Sequence, residues 1–394
     1  MLLTVSKRLE FSASRRLFDP QSSEAENLAR FGEESAARYG TGRNYVAYFV
    51  FSGVVDPETG MLINISEIKR RAGEIIDAGF DHKFLNEDNS AFAEAVPTAE
   101  NVAKQLFTEV EPLFRGGAAK LVACHLQETA ARSATAYAGG VCDANFWFEF
   151  SAARQTTSPQ LSAQENEQLF GAASSPFGHG HHYRARLTLR DSLPAVHELI
   201  HSLGNELDHK NLNREVPGLG GRAITTESLA TYIFERASKT TAIERVRLHE
   251  RDDFFAEHWR SGADFVGMRK AFSAAHRLHV RTLSVEQNTE LFGKCNNLRG
   301  HGHRYLAEAT IGGALDKRSG TLCNFSEFQR ILNDAIKDWD NRHLDLETKE
   351  FRERPSTGEN IVQALWDKLN PRLTNRLERL RLWETNNNRF TLRR

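Results

Sequence analysis

The chain has 394 residues, with 51 Lys and Arg against 52 Asp and Glu, so its formal charge is -1. This length suffices for two or three domains with their own cores, and the balanced charge provides no broad field to attract nucleic acid or an acidic membrane. No apolar run reaches the length of a signal peptide or a membrane span, and the four cysteines show no paired spacing. We therefore expect a reduced, soluble, cytoplasmic protein with neither a nucleic-acid nor a membrane partner.

The first third of the chain predicts a regular order of elements. Alternation of apolar and polar residues predicts strands at about 3–14 and 45–55, separated by a long polar loop. Helical periodicity follows at 66–78 and 99–113, and two more strands are predicted near 120–128 and 133–138. The predicted order is therefore ββααββ.

The same landmarks occur three times, about 130 residues apart, which is a domain-sized spacing rather than that of a solenoid. Each copy begins with a Phe-Ser-Ala motif, has an Asp-His or Asp-Asn pair in its middle and a glutamate near its end. The motifs start at Phe11, Phe150 and Phe272. We predict three repeats, at residues 1–140, 141–262 and 263–394.

The last repeat contains a candidate metal site. His301 and His303 are two residues apart, so on a strand both imidazoles point to one face. His276 ends a strand-like run at 265–275 that could bring a third imidazole to that face. Three imidazoles with an open fourth position suit a catalytic Zn²⁺, whose charge would lower the pKa of the nearby Cys295 thiol and make it a base. A structural zinc with Cys295 as its fourth ligand is the alternative.

The segments FSAAHRL and FGKCNNLRGHGHRY, which contain these residues, resemble the 6-pyruvoyl-tetrahydropterin synthase family, whose relatives include 6-carboxy-tetrahydropterin synthases. The resemblance implies that the three histidines hold zinc and that the cysteine is the catalytic base. It also implies an α+β fold, in which three ββααββ units close one antiparallel β-barrel with helices on the outside, as a pseudo-trimer. Two such barrels stacked face to face would form a homodimer, a pseudo-hexamer.

The first two repeats have lost metal ligands. Both carry arginine at the first ligand position, and a cation at one corner disfavours a metal ion, so we expect one zinc site per chain. Glu34, near the cysteine position of the first repeat, is interpreted as a solvated carboxylate. The other positions compared are Arg15, Thr41 and Arg43 in the first repeat and Arg154, Ala173, His179 and His181 in the second.

The Asp-His pair shows the opposite pattern of loss. The resemblance implies that this dyad polarises the cysteine and relays its proton from a neighbouring unit, and an Asp that orients an imidazole is a sound base arrangement. The third repeat has Asn341, which cannot titrate, so a dyad of another repeat is expected to serve Cys295, with the second repeat preferred. The dyads are Asp81 with His82 and Asp208 with His209.

The resemblance also indicates residues for substrate binding. A pterin ring presents adjacent N–H donors, which one carboxylate can accept side by side, and the late glutamates Glu128, Glu250 and Glu384 resemble the pterin-anchoring glutamate of the family. Thr357 is a further candidate contact, although we favour a helix cap for it. Lys294, Arg277 and Arg299 could neutralise a phosphate chain.

Together these features predict a zinc-dependent 6-pyruvoyl-tetrahydropterin synthase-like lyase. Its pterin substrate would be 7,8-dihydroneopterin triphosphate, which loses triphosphate while Cys295 moves side-chain protons and zinc acidifies the side-chain hydroxyls. A 6-carboxy-tetrahydropterin synthase of deazapurine synthesis is the alternative enzyme. A non-catalytic pterin or purine binder is the alternative from another class.

Overall fold

The computed structural model describes residues 1–190 and 196–394, and within these ranges twelve long strands form one closed antiparallel barrel. Each repeat supplies four long strands and a two-residue strand that pairs in parallel with its first strand. The strands of the first repeat are Leu2–Arg15 (β1), Thr41–Gly53 (β2), Lys83–Phe84 (β3), Ala119–Gln127 (β4) and Arg132–Tyr137 (β5). Those of the second are Cys142–Arg154 (β6), His179–Arg190 (β7), Lys210–Asn211 (β8), Ile243–Arg251 (β9) and Phe254–Trp259 (β10). Those of the third are Asp264–His276 (β11), His301–Gly313 (β12), Arg342–His343 (β13), Leu377–Thr385 (β14) and Asn388–Arg393 (β15).

Three antiparallel junctions join the repeats into the barrel. Strand β5 pairs with β6, β10 pairs with β11, and β15 pairs with β1. Closure pairs every sheet edge, which a separate four-stranded repeat would leave exposed. The predicted α+β barrel of three tandem units is therefore confirmed.

The helices lie on the outside of the barrel and pack against one face of the sheet. They are Glu24–Phe31 (α1), Ile65–Gly79 (α2), Leu85–Asp88 (α3), Ala99–Val110 (α4), Ala163–Phe170 (α5), Val196–Leu207 (α6), Leu212–Glu215 (α7), Thr226–Ala237 (α8), Val285–Phe292 (α9), Phe325–Ile336 (α10), Leu344–Glu347 (α11) and Gly358–Leu369 (α12). Within the described ranges, every helix is too short or too polar to cross a bilayer.

Alternate side chains of each long strand point outward to the helices and inward to the barrel lumen. The outward side chains form the hydrophobic core, and in every repeat the Phe of the Phe-Ser-Ala motif stacks on a buried Tyr of the next strand. The ring centroids are 4.9 Å apart for Phe11 and Tyr45, 5.0 Å for Phe150 and Tyr183, and 5.1 Å for Phe272 and Tyr305. The motif is thus a packing element that fixes the pairing of the first two strands.

One local prediction was wrong. The polar segment between the first two strands contains the helix α1 rather than only a loop. Its start is a capping box, in which Ser23 and Glu26 each bond the backbone of the other. This signal lies in a polar stretch without a long apolar face, and apolar periodicity alone therefore misses it.

Candidate functional site

Strand pairing brings three histidines together at the start of β12. His276, the last residue of β11, pairs directly with His301, and Ala274 pairs with His303. All three imidazoles lie on the outward face of the sheet, and one nitrogen of each lies within 4.8 Å of the other two. Because alternate residues share a face, the HGH spacing and this register are enough to form the cluster.

Hydrogen bonds prepare these nitrogens for a metal ion. His276 is fully buried, and its Nδ1 lies 2.9 Å from the carbonyl oxygen of Ser356. A proton on Nδ1 leaves the lone pair on Nε2, which faces the His301 Nε2 at 3.1 Å. Ser356 is itself held by Asp345, to which its hydroxyl donates at 2.7 Å. The buried His303 Nε2 has no hydrogen-bond partner among the described residues, as expected of a metal ligand.

The electrostatics favour the neutral forms of His301 and His303. Burial, together with the neighbouring His276 and His303, lowers the pKa of His301 to about 4. Burial also lowers the pKa of His303. Neutral imidazole is the form that binds a divalent metal, so the donor set fits Zn²⁺.

Cys295 lies in the turn between α9 and β12, beside the histidines. Its carbonyl accepts the backbone N–H of Leu278 at 3.0 Å, two residues after His276. Arg277 holds the same turn through Asn296, with distances of 3.1 Å to its backbone oxygen and 2.9 Å to its side-chain oxygen. Burial and the Glu384 carboxylate raise the pKa of the Cys295 thiol, so a nearby cation is needed to make it a base at neutral pH.

Two of the three cations that the sequence predicts to bind phosphate remain available to do so within the described part of the chain. Arg277 is engaged with Asn296 and so acts as a structural residue of the cysteine turn. Lys294 and Arg299 are exposed on the same turn, and the Lys294 charge opposes the rise in the Cys295 pKa.

Glu384 borders the histidine cluster and has no cationic partner other than these imidazoles among the described residues. Its Oε1 lies 3.8 Å from the Nε2 atoms of both His276 and His303. Its Oε2 accepts a hydrogen bond from the Asn388 side chain at 2.9 Å. The predicted anchor of the third repeat is therefore partly buried and available to a ligand.

Thr357 is occupied by structural hydrogen bonds. It caps α12 by accepting from the Asn360 N–H at 3.3 Å, and it donates to the backbone oxygen of Gly60 at 2.7 Å. With only 2% of its surface exposed, its side chain is a cap rather than an open substrate contact.

Sequence reasoning missed Glu359, the residue that joins this site to the first repeat. Its carboxylate accepts the Leu62 N–H at 2.9 Å. Burial, with a contribution from Glu384, raises the pKa of Glu359 to about 7. The signal for it was the acidic residue two positions after each helix-capping threonine.

In the second repeat an arginine occupies the corresponding site. Arg154 pairs with Glu250 at 2.5 Å, and the Glu250 Oε1 lies 3.1 Å from His181. Burial alone would raise the pKa of Glu250, but Arg154 and the Thr226 hydroxyl hold it below its usual value. His179, His181 and Glu250 do lie close enough to hold a metal ion, but the adjacent guanidinium disfavours one. Glu250, predicted as a pterin anchor, is thus already paired.

In the first repeat an arginine likewise pairs with the late glutamate. Arg15 is buried and donates to Glu128 through Nε at 2.7 Å and through Nη2. It also donates to Glu34 at 2.6 Å, and Glu34 binds Arg43 as well. Glu128 is therefore unavailable as a pterin anchor. Glu34 belongs to this ion-pair network and is not the free solvated carboxylate that the sequence predicts.

The two Asp-His dyads are each held against the first strand of their own repeat. Asp81 and Asp208 accept backbone N–H groups of β1 and β6, at 2.8 and 2.7 Å. The side chains of His82 and His209 are 84% exposed. Strands β1 and β6 each lie four strands from β11, which is about 19 Å along the sheet at the usual spacing. The dyad of the first repeat lies on the side of β1 that faces the third repeat, since β3 and β15 pair with the same edge of that strand. The relay between repeats of one barrel therefore stays a prediction.

Comparison with known proteins agrees with this threefold architecture. The family model for 6-pyruvoyl tetrahydropterin synthase matches residues 4–138, 145–261 and 266–394. A 6-pyruvoyl tetrahydrobiopterin synthase of Drosophila melanogaster is 42% identical over 106 residues, which are 27% of this chain and 63% of that protein. The Homo sapiens protein of the same name is 38% identical over 125 residues, 31% of this chain and 86% of that protein.

A solved structure, that of Caenorhabditis elegans 6-pyruvoyl tetrahydropterin synthase, is 34% identical and covers 34% of this chain and 96% of its own, with a TM-score of 0.33. The three matches of the family model together span nearly the whole chain. The chain therefore belongs to the 6-pyruvoyl tetrahydropterin synthase family and contains three tandem copies of its unit.

Proposed function

We propose that the third repeat is a zinc-dependent lyase that removes triphosphate from 7,8-dihydroneopterin triphosphate to form a 6-pyruvoyl-tetrahydropterin. The observation that supports this most is the convergence of three imidazoles beside Cys295 and a Glu384 that binds no arginine among the described residues. In the other two repeats, the matching glutamates bind arginine instead.

Each residue of the site has a chemical task in this proposal. His276, His301 and His303 hold Zn²⁺, which when bound acts as a Lewis acid toward the substrate side chain. Glu384 accepts adjacent N–H donors of the pterin ring and so fixes its orientation. Cys295 accepts and returns protons of the side-chain carbons, and the exposed Lys294 and Arg299 lie on the turn where the phosphate chain would extend.

A second copy of the chain offers a further route for the proton relay. The first strands of the three repeats run in one direction, because each is four strands from the next in an antiparallel sheet. Their ends place the candidate site and both exposed dyads on one rim of the barrel. We propose that two chains stack rim to rim as a homodimer, so that Asp81 with His82, or Asp208 with His209, of one chain faces Cys295 of the other.

The direct test is to incubate zinc-loaded protein with 7,8-dihydroneopterin triphosphate and to identify the products by mass spectrometry. A 6-pyruvoyl product together with inorganic triphosphate supports the proposal, and Cys295→Ala should abolish both. A 6-carboxy product would instead assign the carboxy-forming activity. Binding of the pterin without turnover would identify a binding protein and contradict the proposal.

A further inference from the structure

The barrel lumen contains a cluster of arginines that the candidate pterin site does not use. These residues point inward from strands of the second and third repeats, and we call them the lumen belt. They are Arg186, Arg245, Arg247, Arg379, Arg381, Arg389 and Arg393. The carboxylates facing them are Asp143, Glu257 and Glu308. Arg190 and Arg269 also bind two of these carboxylates, so the arginines outnumber the carboxylates that they face.

Only some arginines of the lumen belt form ion pairs with the three carboxylates. Arg247 bridges Glu257 at 3.1 Å and Glu308 at 2.8 Å. Arg379 binds Glu257 and Arg381 binds Glu308, both at 2.8 Å. In addition, Arg245 lies 3.3 Å from Asp143. Each of these arginines therefore shares its carboxylate partner with another arginine.

The other three arginines, Arg186, Arg389 and Arg393, have no carboxylate partner among the described residues. The Nε atoms of Arg186 and Arg389 are buried and have no hydrogen-bond partner. Arg186 lies over the Trp147 ring at 5.3 Å, and Arg389 lies over the Tyr48 ring at 5.7 Å. A guanidinium does not lose its proton in proteins, so aromatic contacts alone leave these charges without a counter-ion.

Strand register makes the repulsion direct. Arg186 on β7 is the cross-strand partner of Arg247 on β9, and Arg379 on β14 is the partner of Arg393 on β15. Like charges directly opposite each other destabilise a sheet. Burial and the neighbouring arginines lower the pKa of Arg186 to about 9, so it stays charged at neutral pH.

The belt is accessible to solutes and separate from the candidate pterin site. The Arg393 side chain is exposed, and Arg245 and Arg381 each retain 17% of their side-chain surface. The metal-site histidines of β11 and β12 point to the opposite face of the sheet. A ligand in the lumen would therefore not touch Cys295 or the three histidines.

We propose that the lumen belt binds a multivalent oxyanion, either phosphate or an inorganic oligophosphate, between the opposed pairs Arg186–Arg247 and Arg379–Arg393. Planar guanidinium groups donate paired hydrogen bonds to phosphate oxygens, and a ligand with several negative charges neutralises the excess that the carboxylates leave. This site does not depend on the reaction proposed for the third repeat.

Calorimetric titration with sodium phosphate, pyrophosphate and triphosphate tests the site, with potassium chloride of equal ionic strength as the control for general screening. Wild-type protein is expected to bind at least one of the three with a stoichiometry near one. Arg186→Gln and Arg393→Gln should each weaken that binding roughly tenfold, because each removes charge-assisted hydrogen bonds. Without the anion, these variants should unfold at the same or a higher temperature, because repulsion is removed.

Two matched variants identify where the anion binds. Arg70→Gln removes an exposed arginine of α2, and Lys294→Gln removes a cation of the candidate pterin site. Both should bind the anion as the wild type does. Equal affinity in Arg186→Gln and the wild type, or loss of binding only in Lys294→Gln, would overturn the lumen site, as would a response to chloride equal to that to the phosphates.

Discussion

At the scale of single residues, a guanidinium group distinguishes the sites of the first two repeats from the site of the third. In the first two repeats this group pairs with the late glutamate. Arg15 donates to Glu128 through two nitrogens, and Arg154 binds Glu250. A pterin ring would offer a carboxylate a similar edge of adjacent N–H donors. In the first two repeats the chain itself thus supplies the donors, whereas Glu384 remains free for a ligand.

The metal content of the protein follows from this difference. His301→Ala removes one of three imidazoles, so the zinc content should fall from about one ion per chain to nearly none. His179→Ala is the matched control and should leave the content unchanged, because Arg154 already occupies the second site. Elemental analysis measures both, and a wild-type value near two would show that His179, His181 and Glu250 also hold a metal.

The raised pKa of Glu359 predicts a pH-dependent stability. The folded protein binds this proton up to about pH 7, whereas an unfolded Glu loses it near its model value of 4.5. Stability should therefore fall as pH rises between these values, by at most roughly 3 kcal/mol. Glu359→Gln keeps an oxygen for the Leu62 N–H but cannot ionise, so this loss should disappear.

Urea unfolding at pH 5 and pH 8 measures that effect. The stability of Glu359→Gln relative to the wild type should increase between the two pH values. Glu74→Gln, on the exposed face of α2, should show no such increase. A relative stability of Glu359→Gln that is the same at both pH values would show that this carboxyl titrates normally in the folded protein.

At the scale of elements, the loops that follow the second strands join neighbouring repeats. Residues 54–64 of the first repeat contact the start of α12 through Glu359 and Thr357. Residues 314–324 of the third repeat contact the start of α8 in the same way, through Glu227 and Thr225. In the first repeat Glu100 binds Arg132 instead. Two of the three junctions between repeats are thus held by hydrogen bonds from a loop to a helix start.

These loop contacts should contribute measurably to stability. Thr321 donates to the buried carboxylate of Glu227, so Thr321→Val should lower the free energy of unfolding by about 1–3 kcal/mol. Thr282→Val is the matched control, because Thr282 donates to the exposed Glu58 at 2.7 Å. Its effect should stay within about 0.5 kcal/mol. Equal losses of unfolding free energy in urea would show that burial of the acceptor does not decide how much this contact between repeats contributes to stability.

At the scale of the whole molecule, the candidate zinc site and both dyads share one rim of the barrel. The first strands that hold the His82 and His209 dyads each lie four strands from β11. Stacking of a second barrel on that rim would bring the dyads of one chain towards the thiol of the other. We therefore expect a dimer near twice 44.5 kDa in light scattering.

Mixed dimers test the supply of the dyad between chains. Cys295→Ala alone should be inactive, and either His82→Ala or His209→Ala should be slowed roughly hundredfold or more. Refolding the slow histidine variant with Cys295→Ala should restore about a quarter of the wild-type rate, because half of the dimers then contain one complete site. No recovery, with metal content unchanged, would show that the relay does not cross between chains.

The sequence alone determined the repeats, the fold and the candidate metal ligands. Their signals are local: HGH fixes two imidazoles on one strand face, and each Phe-Ser-Ala motif marks the first strand of a repeat. Asn341 also suits its place, since its φ of +59° lies in the left-handed region that Asn tolerates best.

Only the tertiary structure decided which candidate residues are available to a ligand and which residues lie in contact with one another. The pairing of Arg15 with Glu128 joins positions 113 residues apart, and no local pattern encodes such a contact. The same holds for Leu62 and Glu359, which lie in different repeats and meet because the barrel closes. Strand order likewise decides how far each dyad lies from Cys295, since distances around a closed sheet depend on the number of strands between two residues and not on their separation in sequence.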